Sequence, residues 1–301
     1  MSDMRQGVQH DLLNRTIGDL RPKLHRYCSR MTGSVVDGED VVQDAIVKAI
    51  SAYPDASPIG DLQTWLFRIA HNAALDFLRR RARTDARHVE EDLEMMIDAA
   101  NAVEARQAAA ASLATFMRLT VPQRSCVVLM DVLGYSLDEI EDLTGMSLSA
   151  VKAALHRGRS RLRELAAEPE PEATVRLPES EQSLLAAYID RFNARDFDAV
   201  RDMLADEVRL EVVNRTRLDG KAQVGRYYTN YDQIDDWHLE LGWVDGSPAL
   251  IVSDPHDPTR APRYFILIRC SETRVISIRD FRYAPYVLDG ADVRLDGPAA
   301  R

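Results

Sequence analysis

Lys152, His156, Arg159 and Arg163 follow one another at intervals of four, three and four residues within Ser147–Leu165. On a helix that spacing gathers the cations into one stripe, a surface suited to the phosphates of a polyanion. Val151, Leu155, Gly158, Leu162 and Leu165 fall on another side and supply an apolar stripe for a small core. Ser147 is placed to cap this helix with its hydroxyl. Upstream, Ser136 and Glu139 form a capping box that opens a shorter helix, and Gly145 supplies the turn between the two. A basic amphipathic helix standing alone is equally a solvated surface helix. With the capping box and turn in front of it, it becomes the second helix of a helix-turn-helix, whose ligand is DNA.

A second constellation lies on residues 61–83. Trp65, Arg68, Asn72, Asp76, Arg79 and Arg83 share one side of a helix, while Leu62, Leu66, Ile69, Ala73 and Phe77 line another. A ring can stack on bases, an amide can bond base edges, and arginines can neutralise a phosphate backbone. The alternative at this point is that Trp65 is core and the arginines are a solvated helix end. Further along, Trp237, Leu239, Leu241 and Trp243 alternate with His238, Glu240 and Gly242, as in a half-buried strand. Trp237, Trp243 and Asp280 are the candidates for lining a pocket there. His238 and Asp280 are the candidates for acid–base chemistry. His238 is out of step with its apolar neighbours and points outward if they line the cavity. Asp280 shares a face with Ile276 and Ile278, and Arg279 or Arg282 is available to pair with it.

These residues need elements to position them. The 301-residue chain is long enough for two or three domains. No run of eighteen apolar residues occurs and the first residues lack a signal-peptide core, so a cytoplasmic protein without a membrane segment is expected. Cys28, Cys126 and Cys270 make no C-x-x-C pair, which argues against a metal or redox site; no cofactor is expected. The formal charge of −10 is unevenly distributed. Lys and Arg number 21 against 23 Asp and Glu over residues 1–167, and 17 against 25 over 168–301. In the first half the positives cluster, at Arg79, Arg80, Arg81, Arg83 and Arg87 and again at Lys152, Arg157, Arg159, Arg161 and Arg163. Such local patches govern phosphate binding more than the total does.

Residues 8–31 read as a helix with Leu12, Leu13, Ile17, Leu20 and Leu24 as its apolar side; Pro22 marks a break or the first turn of a second helix. Asp37, Glu39 and Asp40 open the next helix, whose buried stripe is Val42, Ala45, Ile46, Ala49 and Tyr53. Residues 84–112 are polar and Ala-rich, with weak periodicity around Leu93, Met96 and Ile97, and read as a linker with some helix. Pro122 starts a helix packed through Cys126, Val127, Met130 and Leu133 and ended by Gly134. The Pro/Glu-rich stretch after Leu165 is a second linker, which either serves solubility or competes with DNA for the neighbouring arginines. Beyond it, helices at Gln182–Ala194, Phe197–Leu204 and Lys221–Tyr228 combine with strands at Val208–Val213, Trp237–Val244, Ala249–Val252, Arg263–Cys270 and Arg274–Tyr283. That order indicates an α+β domain.

Taken together, residues 8–165 resemble a bacterial sigma factor of the extracytoplasmic-function group. GEDVVQDAIVKAI is similar to the family's polymerase-docking helix, and LQTWLFRIAHNAALDFLRRRAR to its −10-element helix. LTVPQRSCVVLMDVLGYSLDEIEDLTGMSLSAVKAALHRGRSRLREL is similar to the domain that binds the −35 element. The resemblance implies that Asp40, Gln43 and Asp44 face core RNA polymerase. It implies that Asn72, Asp76, Arg79 and Arg80, with Trp65 nearby, face promoter DNA as it melts, including the non-template strand. Ser149, Lys152, His156, Arg157 and Arg159 would enter or flank the major groove of the duplex upstream. Ala153 and Ala154 replace residues usual in the family, so fewer polar base contacts are expected there. The last 120 residues resemble, by element order and by VISIRDFRYAP, the SnoaL-like group of the NTF2-like superfamily, a cone-shaped α+β barrel.

The implied layout is multidomain. A helical region-2-like domain (8–88), a linker (89–112), an all-α helix-turn-helix domain (113–167), an acidic linker (168–180) and a SnoaL-like domain (181–301) follow in order. The implied function is an alternative sigma factor, not an enzyme, with the C-terminal domain regulating it in cis. Two other readings share these features: a one-component regulator whose barrel senses a small-molecule ligand, and a SnoaL-like enzyme fused to a DNA-binding module.

Overall fold

Helix α1 (Ser2–Thr32) carries Leu13, Ile17, Leu20, Leu24, Tyr27 and Met31 into a shared core at helical spacing. The computed structural model describes residues 2–55, 59–85, 108, 111–168 and 177–295. The stretch around Leu93, Met96 and Ile97, Arg87, and most of the acidic linker lie outside the described residues. Pro22 sits inside α1 without ending it. Leu12, expected in the core, is 54% exposed; it and Leu13 are about 100° apart on the helix, and only one of them can face inward.

Helix α2 (Val35–Ala52) begins two residues before Asp37, because the Ser34 hydroxyl accepts from the Asp37 amide at 3.2 Å and caps it. Helix α3 (Leu62–Asp85) packs on both. Then come α4 (Leu113–Met117), α5 (Val121–Val127), α6 (Leu137–Thr144) and α7 (Leu148–Ala166). Helix α5 widens at its end into a π turn, Val128–Val132. The extra residue per turn slides the buried side, so that Val128 and Leu129 are core and Met130 and Leu133 only half-buried.

The chain divides into two compact units, Met1–Glu170 and Pro171–Arg301. Both helical segments that the sequence suggests as separate domains fall in the first unit and share one core, in which Tyr27, Phe67, Phe116 and Leu129 are buried.

In the second unit, α8 (Glu179–Asn193), α9 (Phe197–Asp202), α10 (Lys221–Tyr227) and α11 (Thr229–Asp232) accompany one sheet. Its strands are β1 (Leu204–Val212), β2 (Thr216–Asp219), β3 (His238–Val244), β4 (Ser247–Ser253), β5 (Pro262–Cys270), β6 (Val275–Asp280) and β7 (Val293–Leu295), in the order β2-β1-β6-β5-β4-β3-β7. Only β1 and β6 run parallel. The α+β class agrees with the sequence reading. The two edge strands β2 and β7 had no alternation to announce them: both are short and mostly exposed or half-exposed. Phe192 centres the inner layer, its ring 4.9 Å from Trp237, 5.2 Å from Tyr231 and 5.3 Å from Phe197, all edge-on.

Candidate nucleic-acid interface

The helix-turn-helix is built by short-range bonds that its sequence announces. The Ser136 amide donates to the Glu139 carboxylate at 2.7 Å, and the Glu139 amide donates to the Ser136 hydroxyl at 3.3 Å. The Ser136 hydroxyl also bonds that carboxyl and holds it below the usual carboxylate range. Gly145 ends α6 at φ 71°, a left-handed conformation that glycine adopts without a Cβ penalty. Ser147 caps α7, and the Glu141 carboxylate accepts from the Leu148 amide at 3.0 Å, fixing the first turn. Val151, Ala154, Leu155, Gly158, Leu162 and Leu165 are buried. Gly158 is required by close approach: a Cβ there would stand 2.7 Å from Val127 Cγ2 of α5.

On the remaining surface of α7, Ser149 is exposed and Lys152, His156 and Arg157 are half-buried. Arg159 is not part of that surface, which corrects the sequence expectation. Its side chain is 7% exposed and grips Asp131 of the π turn through two bonds, Nη2–Oδ1 at 2.6 Å and Nε–Oδ2 at 2.9 Å. The signal was available: Arg159 lies four residues after Leu155 and three before Leu162, squarely between two core positions. Ala154 is likewise core, at 1% exposure, while Ala153 is half-buried.

Helix α3 presents Asn72, Arg79 and Arg80 to solvent, with Asp76 half-exposed beside them. Trp65 takes both of the roles weighed for it in part: half-buried, it packs on Tyr53 with ring centroids 6.1 Å apart. Arg68 donates to the Asp142 carbonyl of α6 at 2.6 Å. His71, not singled out from sequence, is buried at the centre of the unit. On α2, Asp40, Gln43 and Asp44 are exposed on one side. Gln43 accepts from Arg21 at 2.7 Å, and Asp44 lies 3.8 Å from Arg80. Val47 and Ile50 continue that side, 55% and 39% exposed, and were missed because they read as ordinary apolar residues of the helix. Lys48–Asp76 at 3.7 Å and Asp44–Arg80 link α2 to α3; exposed pairs of this kind contribute at most about 1 kcal/mol each.

In the second unit two of the three pocket candidates, Trp237 and Asp280, meet at Tyr231, and Trp243 stands apart from them. Asp280 pairs in register with Ile266, Ile266 with Leu250 and Leu250 with Leu241, whereas Trp243 lies two residues further along β3 beside Pro248 and Arg294. Trp237 is core at 4% exposure, under the Arg195 guanidinium. Asp280, 1% exposed, accepts from the hydroxyls of Tyr231 and Tyr227 and from the Arg282 amide at 2.9 Å. Burial pushes its carboxyl above the ordinary value. Arg279 bonds Glu211 at 2.9 Å, and the Arg282 guanidinium holds Asp236 and the Tyr264 hydroxyl. His238 is half-buried opposite Ser253, on the other side of the pleat from Leu239, so it and Asp280 form no acid–base pair.

Comparison with known proteins places names on these regions. Family models match residues 16–84 (sigma-70 region 2), 113–162 (sigma-70 region 4) and 185–269 (SnoaL-like domain). The chain is 32% identical over 222 residues to the extracytoplasmic-function (ECF) RNA polymerase sigma factor SigG of Mycobacterium tuberculosis, covering 64% of this chain and 59% of that protein. It is 31% identical over 172 residues to the RNA polymerase sigma factor CarQ of Myxococcus xanthus, covering 57% of this chain and 98% of that one. The crystal structure of the extracytoplasmic function sigma factor SigJ of Mycobacterium tuberculosis is similar at 22% identity and a TM-score of 0.34, over 87% of this chain and 93% of that one.

Proposed function

The chain belongs to the ECF family of RNA polymerase sigma factors and carries a SnoaL-like domain, and from that premise we propose that it binds core RNA polymerase and directs it to a promoter. The observation that carries this reading is the pairing of two surfaces in one unit. Helix α7 of the helix-turn-helix offers Ser149, Lys152, His156 and Arg157, and α3 offers Asn72, Arg79 and Arg80. The first set meets a duplex at a major groove, with polar groups at the helix start toward base edges and cations toward phosphates. The second, with Asp76 and Trp65 at its side, meets the promoter where it melts and holds the non-template strand. Asp40, Gln43 and Asp44, continued by the apolar Val47 and Ile50, form the polymerase-docking side of α2. Each DNA contact is weak alone, and tethering both through polymerase raises their effective concentration.

In this reading the protein catalyses no reaction and acts in the cytoplasm; no helix among the described residues is long and apolar enough to cross a membrane. The SnoaL-like domain regulates in cis. The described partners of Asp280, tyrosine hydroxyls and a backbone amide within its own fold, are compatible with that role. The test is transcription by core polymerase with the full chain and with a truncation after Ala167. Promoter-directed transcripts should require the protein, and truncation should change their yield. Equal yield from both forms refutes cis-regulation, and failure to bind core polymerase refutes the sigma reading in favour of a free-standing DNA-binding regulator.

A further inference from the structure

We propose that Tyr27, His71 and Ser125 form an acid-releasable clasp between the α1–α3 half and the α4–α7 half of the helical unit. The Tyr27 hydroxyl of α1 lies 2.6 Å from His71 Nδ1 of α3 and 3.0 Å from Ser125 Oγ of α5. All three residues are buried, at 0%, 6% and 1% exposure. A neutral His71 accepts a hydrogen bond from the Tyr27 hydroxyl at Nδ1, and the tyrosine oxygen accepts from Ser125, so one hydroxyl joins three helices. The network lies where the two halves meet. Around it, Arg124 donates to the Met31 carbonyl, Arg30 stands 5.6 Å over the Phe116 ring, and Gln63 donates to the Tyr135 hydroxyl at 3.2 Å. Among these described contacts His71 is the one group whose ordinary pKa lies within the mildly acidic range.

A proton on His71 has little to receive it in the closed form. Among the described residues, the charged and titratable groups around the network include Arg79 on its own helix, Tyr27, Cys28 and Arg30 on α1, and Arg124 and Cys126 on α5. Burial pushes both thiols and the tyrosine hydroxyl up, so all three stay neutral and offer no anion. Glu39 of α2, the acid that acts on Cys28 among the described residues, is held by Arg21 at 2.5 Å. An imidazolium would therefore be shielded from water near the buried Arg124 guanidinium, with the solvent-exposed Arg79 adding repulsion from its own helix. Burial, and secondarily Arg79, lowers the His71 pKa to about 4 in the closed form.

The direction of the pH effect follows. Parting the halves wets His71 and returns it toward its ordinary value, so the open form binds the proton better. The closed form keeps its full advantage above about pH 6.5 and loses it progressively as pH falls toward about 4. Between about pH 7.5 and about pH 5.5 the open fraction should rise about tenfold. Opening frees Gln63 from Tyr135 and Arg68 from the Asp142 carbonyl, uncovering the Trp65 end of α3.

The clasp can be tested on the full chain without DNA or polymerase, so its failure is separable from failure of the sigma assignment. Cys126, fully buried next to Ser125, is the native reporter. Its labelling by a disulfide reagent, read on its peptide and normalised to the urea-unfolded chain at each pH, should rise about tenfold over that interval. In His71→Gln the rise should vanish. A flat wild-type profile, or the same rise in His71→Gln, overturns the proposal. Should the variant not fold, NMR titration of the His71 ring in histidine-labelled wild-type protein decides: an inflection well below pH 6 supports the clasp, and one near the ordinary histidine value overturns it.

Discussion

Arg159 offers the sharpest test, because sequence and structure give it different work. Placed on an exposed basic stripe it would grip phosphate; in the fold it is 7% exposed and holds Asp131, 4% exposed, through two charge-assisted bonds. Arg159→Ala removes both bonds and leaves the Asp131 carboxylate in the core without its partner. Truncating one member of a buried pair costs about 3–5 kcal/mol. At the lower end, the constant for local opening of α5–α7 rises by about two powers of ten. Hydrogen–deuterium exchange on the full chain reads this directly, as faster exchange of the Cys126–Val132 and Leu155–Leu162 amides. The pair can also be removed whole. Arg159→Met with Asp131→Leu deletes both charges at similar volume and should restore most of the protection. It should also restore promoter-directed transcription, since no phosphate contact is lost. Normal exchange in Arg159→Ala together with a selective loss of DNA binding would refute this reasoning, as would a double variant that is stable yet inactive.

Lys152→Ala should behave in the opposite way, leaving exchange protection within about 0.5 kcal/mol of wild type while weakening promoter binding by about tenfold, as measured by fluorescence anisotropy with holoenzyme. Gly158→Val forces a side chain into a site where even a Cβ stands 2.7 Å from Val127, and should destabilise the helix-turn-helix by about 1–3 kcal/mol in the same exchange experiment. In the second unit, Asp280→Asn keeps an acceptor for the Arg282 amide and lets the two tyrosine hydroxyls accept instead of donate, so urea unfolding should shift little. Asp280→Ala leaves the Tyr231 and Tyr227 hydroxyls and that amide unpaired and should cost about 2–3 kcal/mol or more. Equal losses in the two variants would contradict that account.

Much of the candidate interface can be read from the chain alone, and the reason is distance along the sequence. Caps and turns depend on bonds between residues three or four apart. Ser136 with Glu139, Gly145 and Ser147 therefore announce the helix-turn-helix wherever it is placed. The exposure of Asn72, Arg79, Ser149 and the Asp40–Asp44 side of α2 follows from helical periodicity in the same way. Within β3, strand alternation holds for Leu239 alone: Leu241 and Trp243 are half-buried, while Gly242 and Val244 are buried instead. What periodicity supplies is an angle around an axis; it does not say what stands opposite. Arg159 and Asp131 are 28 residues apart, Tyr27 and Ser125 are 98 apart, and both partnerships exist only once helices have packed. For that reason the cationic stripe lost a member to the core, His71 went unnoticed among stronger signals, and Trp237 became packing for Phe192. The joining of two expected helical domains into one unit, and the closing of Asp280 among tyrosines, belong to the same class. Each is settled by which surfaces exclude water together, a property of the assembled core that no local spacing encodes.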